Sequence, residues 1–78
     1  QVELVYQNIK TVLSECGMSF ENIAKITVYL TSPNYIETHR TIQQNALGGV
    51  VPASTLLFVS RLARPELLVE VEAVAAID

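Results

Sequence analysis

The chain is poor in the residues on which metal and thiol chemistry depend. Among its 78 residues there are one cysteine, Cys16, one histidine, His39, and no tryptophan. A single cysteine excludes an internal disulfide, and one histidine with one cysteine provides no paired ligand spacing for a metal ion. The sequence also has no P-loop, no dinucleotide-binding fingerprint and no Ser–His–Asp arrangement. We therefore expect a protein without a metal or other cofactor.

Positive charge is also scarce. Five lysines and arginines stand against eight acidic residues, which gives a net charge of −3. Contacts with phosphate groups need clustered basic side chains, so this balance argues against nucleic acid as a partner. No apolar run is long enough to cross a bilayer, and no signal-peptide pattern opens the chain. These absences favour a soluble cytoplasmic protein with no membrane partner.

Apolar residues, in contrast, are abundant. Half of the residues are hydrophobic, yet a core of this size rarely holds a fold together without disulfides, metal or partner subunits. We therefore expect a homo-oligomer. The first predicted helix begins at residue 1 without an N-cap. The sequence is accordingly interpreted as one domain over residues 1–78 that lacks its N-terminal part.

Two helices are predicted from apolar residues at helical spacing. The first covers residues 1–16 and ends at Gly17, where a left-handed cap is expected. Ser32 and Pro33 open the second helix, and the glycine pair at 48–49 ends it. The inner stripe of the first helix consists of Val2, Val5, Ile9, Val12, Leu13 and Cys16, and that of the second of Tyr35, His39, Ile42 and Ala46.

Three strands are predicted from alternating residues, at 25–32, 53–60 and 67–77. A helix joins the first two, which predicts a right-handed crossover and parallel pairing. The expected fold class is α/β (α+β), a mixed sheet with both helices packed on one face. Large apolar groups beside carboxylates suggest that a subunit covers the other face and leaves pockets for a ligand. That face is expected to hold Thr27, Tyr29, Leu56, Phe58, Glu70 and Glu72.

Few side chains are candidates for chemistry. Glu70 and Glu72 are two residues apart on a strand and so share one side. Either could act as a general base on water, or both could form a solvated polar stripe. His39 is either a packed, hydrogen-bonded residue or a catalyst. Cys16 is interpreted as a buried structural thiol, because no basic partner lies near it in the sequence.

Two stretches resemble a known family. VPASTLLFVSRLARPELLVEVEAVAAI resembles the C-terminal signature of the reactive-intermediate deaminase family (RidA or YjgF, endoribonuclease L-PSP-like), in which Pro-Ala opens a strand and V/I-E-V/I-E-A-V/I-A forms the last one. GMSFENIAKITVYLTSPNYIETH resembles the segment that precedes it. The resemblance implies the chorismate-mutase-like RidA fold without its N-terminal strands. It also implies a homotrimer with small-molecule clefts between its subunits.

The resemblance implies a chemistry as well, the hydrolysis of enamines and imines to a carbonyl compound and ammonia. Active members hold the substrate carboxylate with an arginine two residues after the proline, and a glutamate at the first position of E-x-E-A handles water. Glu70 matches that glutamate, whereas Ser54 stands at the position of the arginine. The expectation is a divergent imine deaminase with Glu70 as its catalytic residue. Its binding pocket would contain Ser54, Leu56, Phe58 and His39.

Two alternatives stay open. Because a serine cannot replace a guanidinium group, the chain could belong to a catalytically silent trimer that binds small ligands or other proteins. The family has also been given a ribonuclease or translation-inhibitor role, which the acidic balance of this sequence disfavours.

Overall fold

Two helices and three strands follow one another along the chain in the predicted order. The computed structural model describes residues 1–77. Its main elements are α1 Val2–Glu15, β1 Ile23–Leu30, α2 Ile36–Leu47, β2 Ala53–Phe58 and β3 Val69–Ala75. Short 3₁₀ turns precede β1 and α2, at Phe20–Asn22 and Pro33–Tyr35. The strand ends differ from the predicted ends by no more than two residues.

Local capping explains where the elements begin and end. Gly17 has a φ of 74°, and backbone hydrogen bonds from residues 17 and 18 to the last turn of α1 form a Schellman motif. Gly48, with a φ of 64°, ends α2. The hydroxyls of Ser19 and Ser32 accept hydrogen bonds from the backbone amides two residues further on, which caps both 3₁₀ turns. The predicted helix ends are thereby confirmed.

The sheet has the strand order β2–β1–β3, so β1 lies at its centre. β1 and β2 pair in parallel, with Leu30 opposite Phe58. β1 and β3 pair antiparallel, with Leu30 opposite Val69. The mixed sheet and the parallel crossover through α2 are confirmed.

One side of β1 forms the centre of the hydrophobic core. Ile26, Val28 and Leu30 have no exposed surface, because alternate residues project to one side and both helices pack there. Val69 and Val71 on β3 extend the same layer. Full burial of an aliphatic side chain of this size stabilises the fold by about 1.5–3 kcal/mol. The contact between helices and sheet is therefore the chief source of stability within this chain.

The inner stripe of α1 differs from the predicted one. Tyr6 and Leu13 are buried, whereas Val12 is 59% exposed and Cys16 is exposed. The predictions that Val12 packs inward and that Cys16 is a buried thiol are therefore wrong. Tyr6 and Leu13 are seven residues apart and share a helix face, from which Val12 is turned by about 100°. Cys16 follows the last helical residue, where the backbone turns toward Gly17.

Candidate functional site

The sheet face that the helices leave uncovered carries the two predicted glutamates. Thr27 and Tyr29 project to this side of β1, where they lie opposite Glu72 and Glu70 of β3. Both glutamates are exposed, and the two β1 residues are half-buried. We call this surface the open face; its residues are Thr27, Tyr29, Thr55, Leu57, Glu70 and Glu72.

Tyr29 is a residue of the open face whose pKa is clearly shifted. Burial, followed by the negative charges of Glu72 and Glu70, raises the pKa of the Tyr29 phenol above its ordinary value. The phenol therefore stays protonated at neutral pH, and its O–H can donate a hydrogen bond to a carboxylate. Alternation along one strand does not show that Tyr29 lies beside the glutamates. The register of β1 against β3 shows it.

The second group of predicted site residues lies on the other side of the sheet. Three of these residues lie on the same side of β2. They are Ser54, Leu56 and Phe58, and we call them the β2 row. Ser54 lies opposite Ile26 and Phe58 opposite Leu30, so the β2 row projects to the helix side. The prediction that Leu56 and Phe58 share a face with Glu70 and Glu72 is therefore wrong. Alternation shows which residues of one strand share a side, but the register against β1 decides which face of the sheet that is.

The β2 row is nevertheless accessible. β2 is an edge strand, and the helices pack over the centre of the sheet. Leu56 is half-buried against the core, whereas Ser54 is exposed and Phe58 is 50% exposed. The β2 row is therefore an accessible strip of surface beside the helices. The Ser54 hydroxyl lies at one end of this strip and the Phe58 ring at the other.

His39 lies in the interior between the two helices. It is 1% exposed, and its Nε2 is 2.7 Å from the Tyr6 hydroxyl. Its Nδ1 is buried and has no hydrogen-bond partner within residues 1–77. Burial, and to a lesser extent the charge of Arg40, lowers the pKa of His39, so the imidazole is neutral at neutral pH. The structure thus contains the packed, hydrogen-bonded histidine that the sequence offered as one of two interpretations.

A single chain does not bring the predicted site residues together. Ser54 and Glu70 project to opposite faces of the sheet, and β1 separates their strands by roughly 10 Å in total. His39 is enclosed between α1 and α2, away from both. One chain can therefore offer a carboxylate pair on one side and a polar and apolar row on the other, but no small ligand can touch both.

Two grooves run along the helices, away from the open face and from the β2 row. One of about 370 Å³ lies between α1 and α2 and passes Tyr6 and Ile42. Another of about 470 Å³ lies at the C-terminal ends of the helices, beside Met18 and Leu47. In the described part of the chain, no group of three histidine, cysteine, aspartate or glutamate side chains could hold a metal ion. Over residues 1–77, no helix is both long and apolar enough to span a membrane.

Comparison with known proteins gives consistent matches over nearly the whole chain. A RutC family protein from Pyrococcus abyssi is 36% identical over 75 residues, which cover 96% of this chain and 58% of that protein. A YjgF family member from Mycobacterium tuberculosis is 25% identical with a TM-score of 0.93, over 99% of this chain and 65% of that one. TdcF from Escherichia coli, solved with bound serine, is 26% identical with a TM-score of 0.92, over 100% of this chain and 63% of that one.

These matches bear on both the fold and the family. The chain spans about three-fifths of the length of the relatives it matches. The fold class predicted from the sequence and the resemblance to RidA and YjgF proteins are both confirmed. The family model for endoribonuclease L-PSP matches residues 1–77. This chain therefore belongs to the endoribonuclease L-PSP family, together with the RutC and YjgF (RidA) proteins.

Proposed function

We propose that this chain carries the site of an imine and enamine deaminase, a cytoplasmic hydrolase that works as a homotrimer. Glu70 is the catalytic residue that handles water, and Ser54, Leu56 and Phe58 line the binding pocket. The proposal takes Glu70 as the family's glutamate on the resemblance of the last strand, and the observation that carries it is that Glu70 is exposed on the open face. The relative TdcF, solved with bound serine, supports a small polar ligand.

The proposed reaction uses water to cleave a carbon–nitrogen double bond. The Glu70 carboxylate accepts a proton from the water molecule while the water oxygen attacks the imine carbon. The imine nitrogen gains a proton, and the resulting carbinolamine collapses to a carbonyl compound and ammonia. An enamine first takes up a proton at carbon and then follows the same course. Water supplies both the nucleophile and the protons.

Two subunits are needed to build the proposed cleft. Ser54 and Glu70 lie on opposite faces of one sheet, so a single chain cannot present both to the same small molecule. A neighbouring subunit that packs its β2 row toward the open face would bring them together. Leu57, which is 46% exposed on the open face, offers apolar surface for that contact. His39, which the sequence placed in this pocket, is only 1% exposed between the helices and therefore cannot touch a ligand there.

Ser54 changes what this cleft can hold. An arginine grips a carboxylate with two parallel charged hydrogen bonds, whereas a serine hydroxyl is neutral and gives one donor. Losing that contact costs about 2–4 kcal/mol of carboxylate binding. Arg61 bonds to nearby carbonyls and Arg64 pairs with Glu66, so neither replaces the missing guanidinium. We infer that the substrate is an imine without a carboxylate at this end.

The proposal is tested by ammonia release from freshly generated imines in the presence of the intact gene product. A 2-imino acid is compared with an imine of similar size that lacks the carboxylate, and the uncharged imine should react faster. Glu70→Ala should abolish hydrolysis. Glu37→Ala should leave it unchanged, because Glu37 is an exposed residue of α2 that pairs with Arg40 on the other side of the sheet.

Ser54→Arg sharpens the test, because it restores the side chain that active family members use. It should raise kcat/KM for the 2-imino acid by at least about tenfold and should not raise that for the uncharged imine. Ammonia release that survives Glu70→Ala would contradict the catalytic role of Glu70. No release from either imine would reject hydrolysis.

A catalytically silent trimer that binds a small ligand or protein is the second candidate. The observation that favours it is Ser54 at the arginine position. Calorimetric binding of an uncharged imine analogue without turnover would support this candidate. A ribonuclease role is disfavoured by the net charge of −3, and a salt-dependent gel shift of labelled RNA would revive it.

A further inference from the structure

One side chain joins the beginning of α1 to the residues just before β3. Nε2 of Gln1 donates a hydrogen bond to the Glu66 carbonyl at 3.1 Å. Oε1 of Gln1 accepts a hydrogen bond from the Leu68 amide, also at 3.1 Å. A carbonyl and an N–H group are the two kinds of backbone group that a neighbouring strand would bond. The Gln1 side chain therefore acts as a strand partner for the residues that lead into β3.

The segment between β2 and β3 has few other polar contacts with the rest of the chain. Arg61 bonds to carbonyls of its own loop, and Arg64 pairs with Glu66. Within residues 1–77, the bond from Gln1 to Glu66 is the only hydrogen bond that joins residues 60–67 to another part of the chain. The polar attachment of this segment therefore depends on Gln1.

Gln1 is itself fixed to a packed helix. Its backbone carbonyl accepts a hydrogen bond from the Val5 amide at 3.1 Å, at the first turn of α1. α1 packs against the hydrophobic core through Tyr6 and Leu13, which are both buried. The side-chain amide of Gln1 is thus held by an element that belongs to the core.

Glu70 lies close to this attachment. It is the second residue of β3 and follows Leu68 by two positions. β3 is an edge strand that pairs with β1 on one side only, and the ends of such strands open most easily. The Leu68 carbonyl accepts a hydrogen bond from the Thr31 amide at 3.2 Å. β1 and Gln1 therefore hold Leu68 together, and loss of the Gln1 bonds would let this end of β3 open more often.

We propose that Gln1 is a positioning residue that fixes the beginning of β3 and, through it, the place of the Glu70 carboxylate. The inference rests on the function proposed above for Glu70. A general base must lie within hydrogen-bond reach of the water that it activates, and a displacement of about 1 Å can lower a rate about a hundredfold. Gln1 acts through the backbone of Glu66 and Leu68 and does not touch the substrate.

The first test needs no substrate. Amide hydrogen exchange in the intact gene product, followed by NMR, measures how often the beginning of β3 opens. Gln1→Met keeps the length of the side chain and removes both polar atoms, so the amides of residues 68–70 should exchange about tenfold faster. Exchange at residues 73–75, at the other end of β3, should not change. Unchanged exchange at residues 68–70 overturns the inference.

The matched control is an amide side chain at the other end of the same strand. Asn22 donates a hydrogen bond from Nδ2 to the carbonyl of Ala76, which follows β3, and its Oδ1 accepts one from the Ser19 amide. Ala76 is six residues from Glu70, or about 20 Å along the strand. Asn22→Ala should therefore weaken β3 at least as much as Gln1→Met does, while Glu70 keeps its place.

The second test compares the two variants in imine hydrolysis, at a temperature well below their unfolding midpoints. Gln1→Met should lower kcat about tenfold with little change in KM, because the β2 row is held by its pairing with β1. Asn22→Ala should leave both constants unchanged. Equal losses of kcat in the two variants would tie activity to the stability of β3 rather than to the place of Glu70, and would overturn the inference.

The outcomes of the two tests separate this inference from the proposed function. If the unmodified protein hydrolyses imines and Gln1→Met is equally active, the proposed function stands and the positioning role fails. If the unmodified protein hydrolyses no imine, the proposed function fails. Hydrogen exchange then still decides whether Gln1 holds the beginning of β3.

Discussion

The central strand builds both faces of the sheet, and the two faces differ in what they hold. Toward the helices, β1 presents Ile26, Val28 and Leu30, none of which has exposed surface. Toward the open face it presents Thr27 and Tyr29, which are half-buried and lie opposite exposed carboxylates. The alternation of one strand thus separates two roles. Substitutions on the helix side should change stability, and those on the open face should change activity or association.

The largest loss of stability is expected on the helix side. Leu30→Ala removes a fully buried side chain and leaves a cavity, which lowers the free energy of unfolding by about 2–5 kcal/mol. Urea unfolding of the intact gene product, followed by circular dichroism, measures this loss. Leu4→Ala on α1 is the matched control, because Leu4 is 59% exposed and should cost far less. Similar losses at both positions would contradict the assignment of the Leu30 side of β1 to the hydrophobic core.

The polar contact inside the helix layer has the next largest effect. Tyr6→Phe removes the hydroxyl that lies 2.7 Å from Nε2 of His39. Within residues 1–77, Nδ1 has no partner either, so both ring nitrogens would be buried and unpaired. We expect a cost of about 1–3 kcal/mol in the free energy of unfolding, and almost none for Tyr35→Phe. If Tyr6→Phe leaves the free energy of unfolding unchanged, His39 must form a hydrogen bond with another partner.

A pH dependence of stability is expected from His39, the only histidine of the chain. Burial, and then Arg40, lowers its pKa in the folded state. Between that lowered value and about 6.5 the unfolded chain therefore binds more protons than the folded one. Stability should be complete above this range and fall as the pH drops through it.

The control for this pH dependence is His39→Gln, measured by thermal unfolding across the same pH range. The substitution removes the titrating group, so the fall in stability below about pH 6.5 should become flatter. If the fall persists unchanged, protonation of carboxylates rather than of His39 is its cause.

Much of the helix-side architecture follows from the sequence, because its signals are local. Alternating apolar residues predicted the covered side of β1, and Gly17 marked the end of α1 through its left-handed conformation. Cys16 was assigned wrongly because the helical spacing was extended to a residue that lies beyond the last turn of α1, where the backbone turns toward Gly17.

The candidate site could be predicted strand by strand but not as an arrangement. Ser54 and Phe58 share a side of β2, and Glu70 and Glu72 share a side of β3, as alternation requires. Whether both pairs occupy the same face depends on two registers, and a slip of one residue would reverse the answer. The family resemblance therefore identified candidate residues, while their separation onto two faces required the fold.

The smallest effect on the chain's own stability is expected on the open face. Leu57→Ser removes an apolar side chain that is 46% exposed, so the loss within a single chain should be about 1 kcal/mol or less. If a neighbouring subunit packs against this face, as proposed, the same substitution also weakens association. The unfolding midpoint would then depend more steeply on protein concentration. Sedimentation velocity would detect smaller species at the same concentration.

The contrary outcomes for Leu57→Ser decide what the open face is. A large loss that does not vary with concentration would mean that Leu57 belongs to the core of the chain, which contradicts its exposure. No change in either stability or association would leave the open face uncovered in solution. The cleft between two subunits would then have to be given up, because Ser54 and Glu70 cannot meet within one chain. The open face is thus tested by association, whereas the helix side is tested by stability.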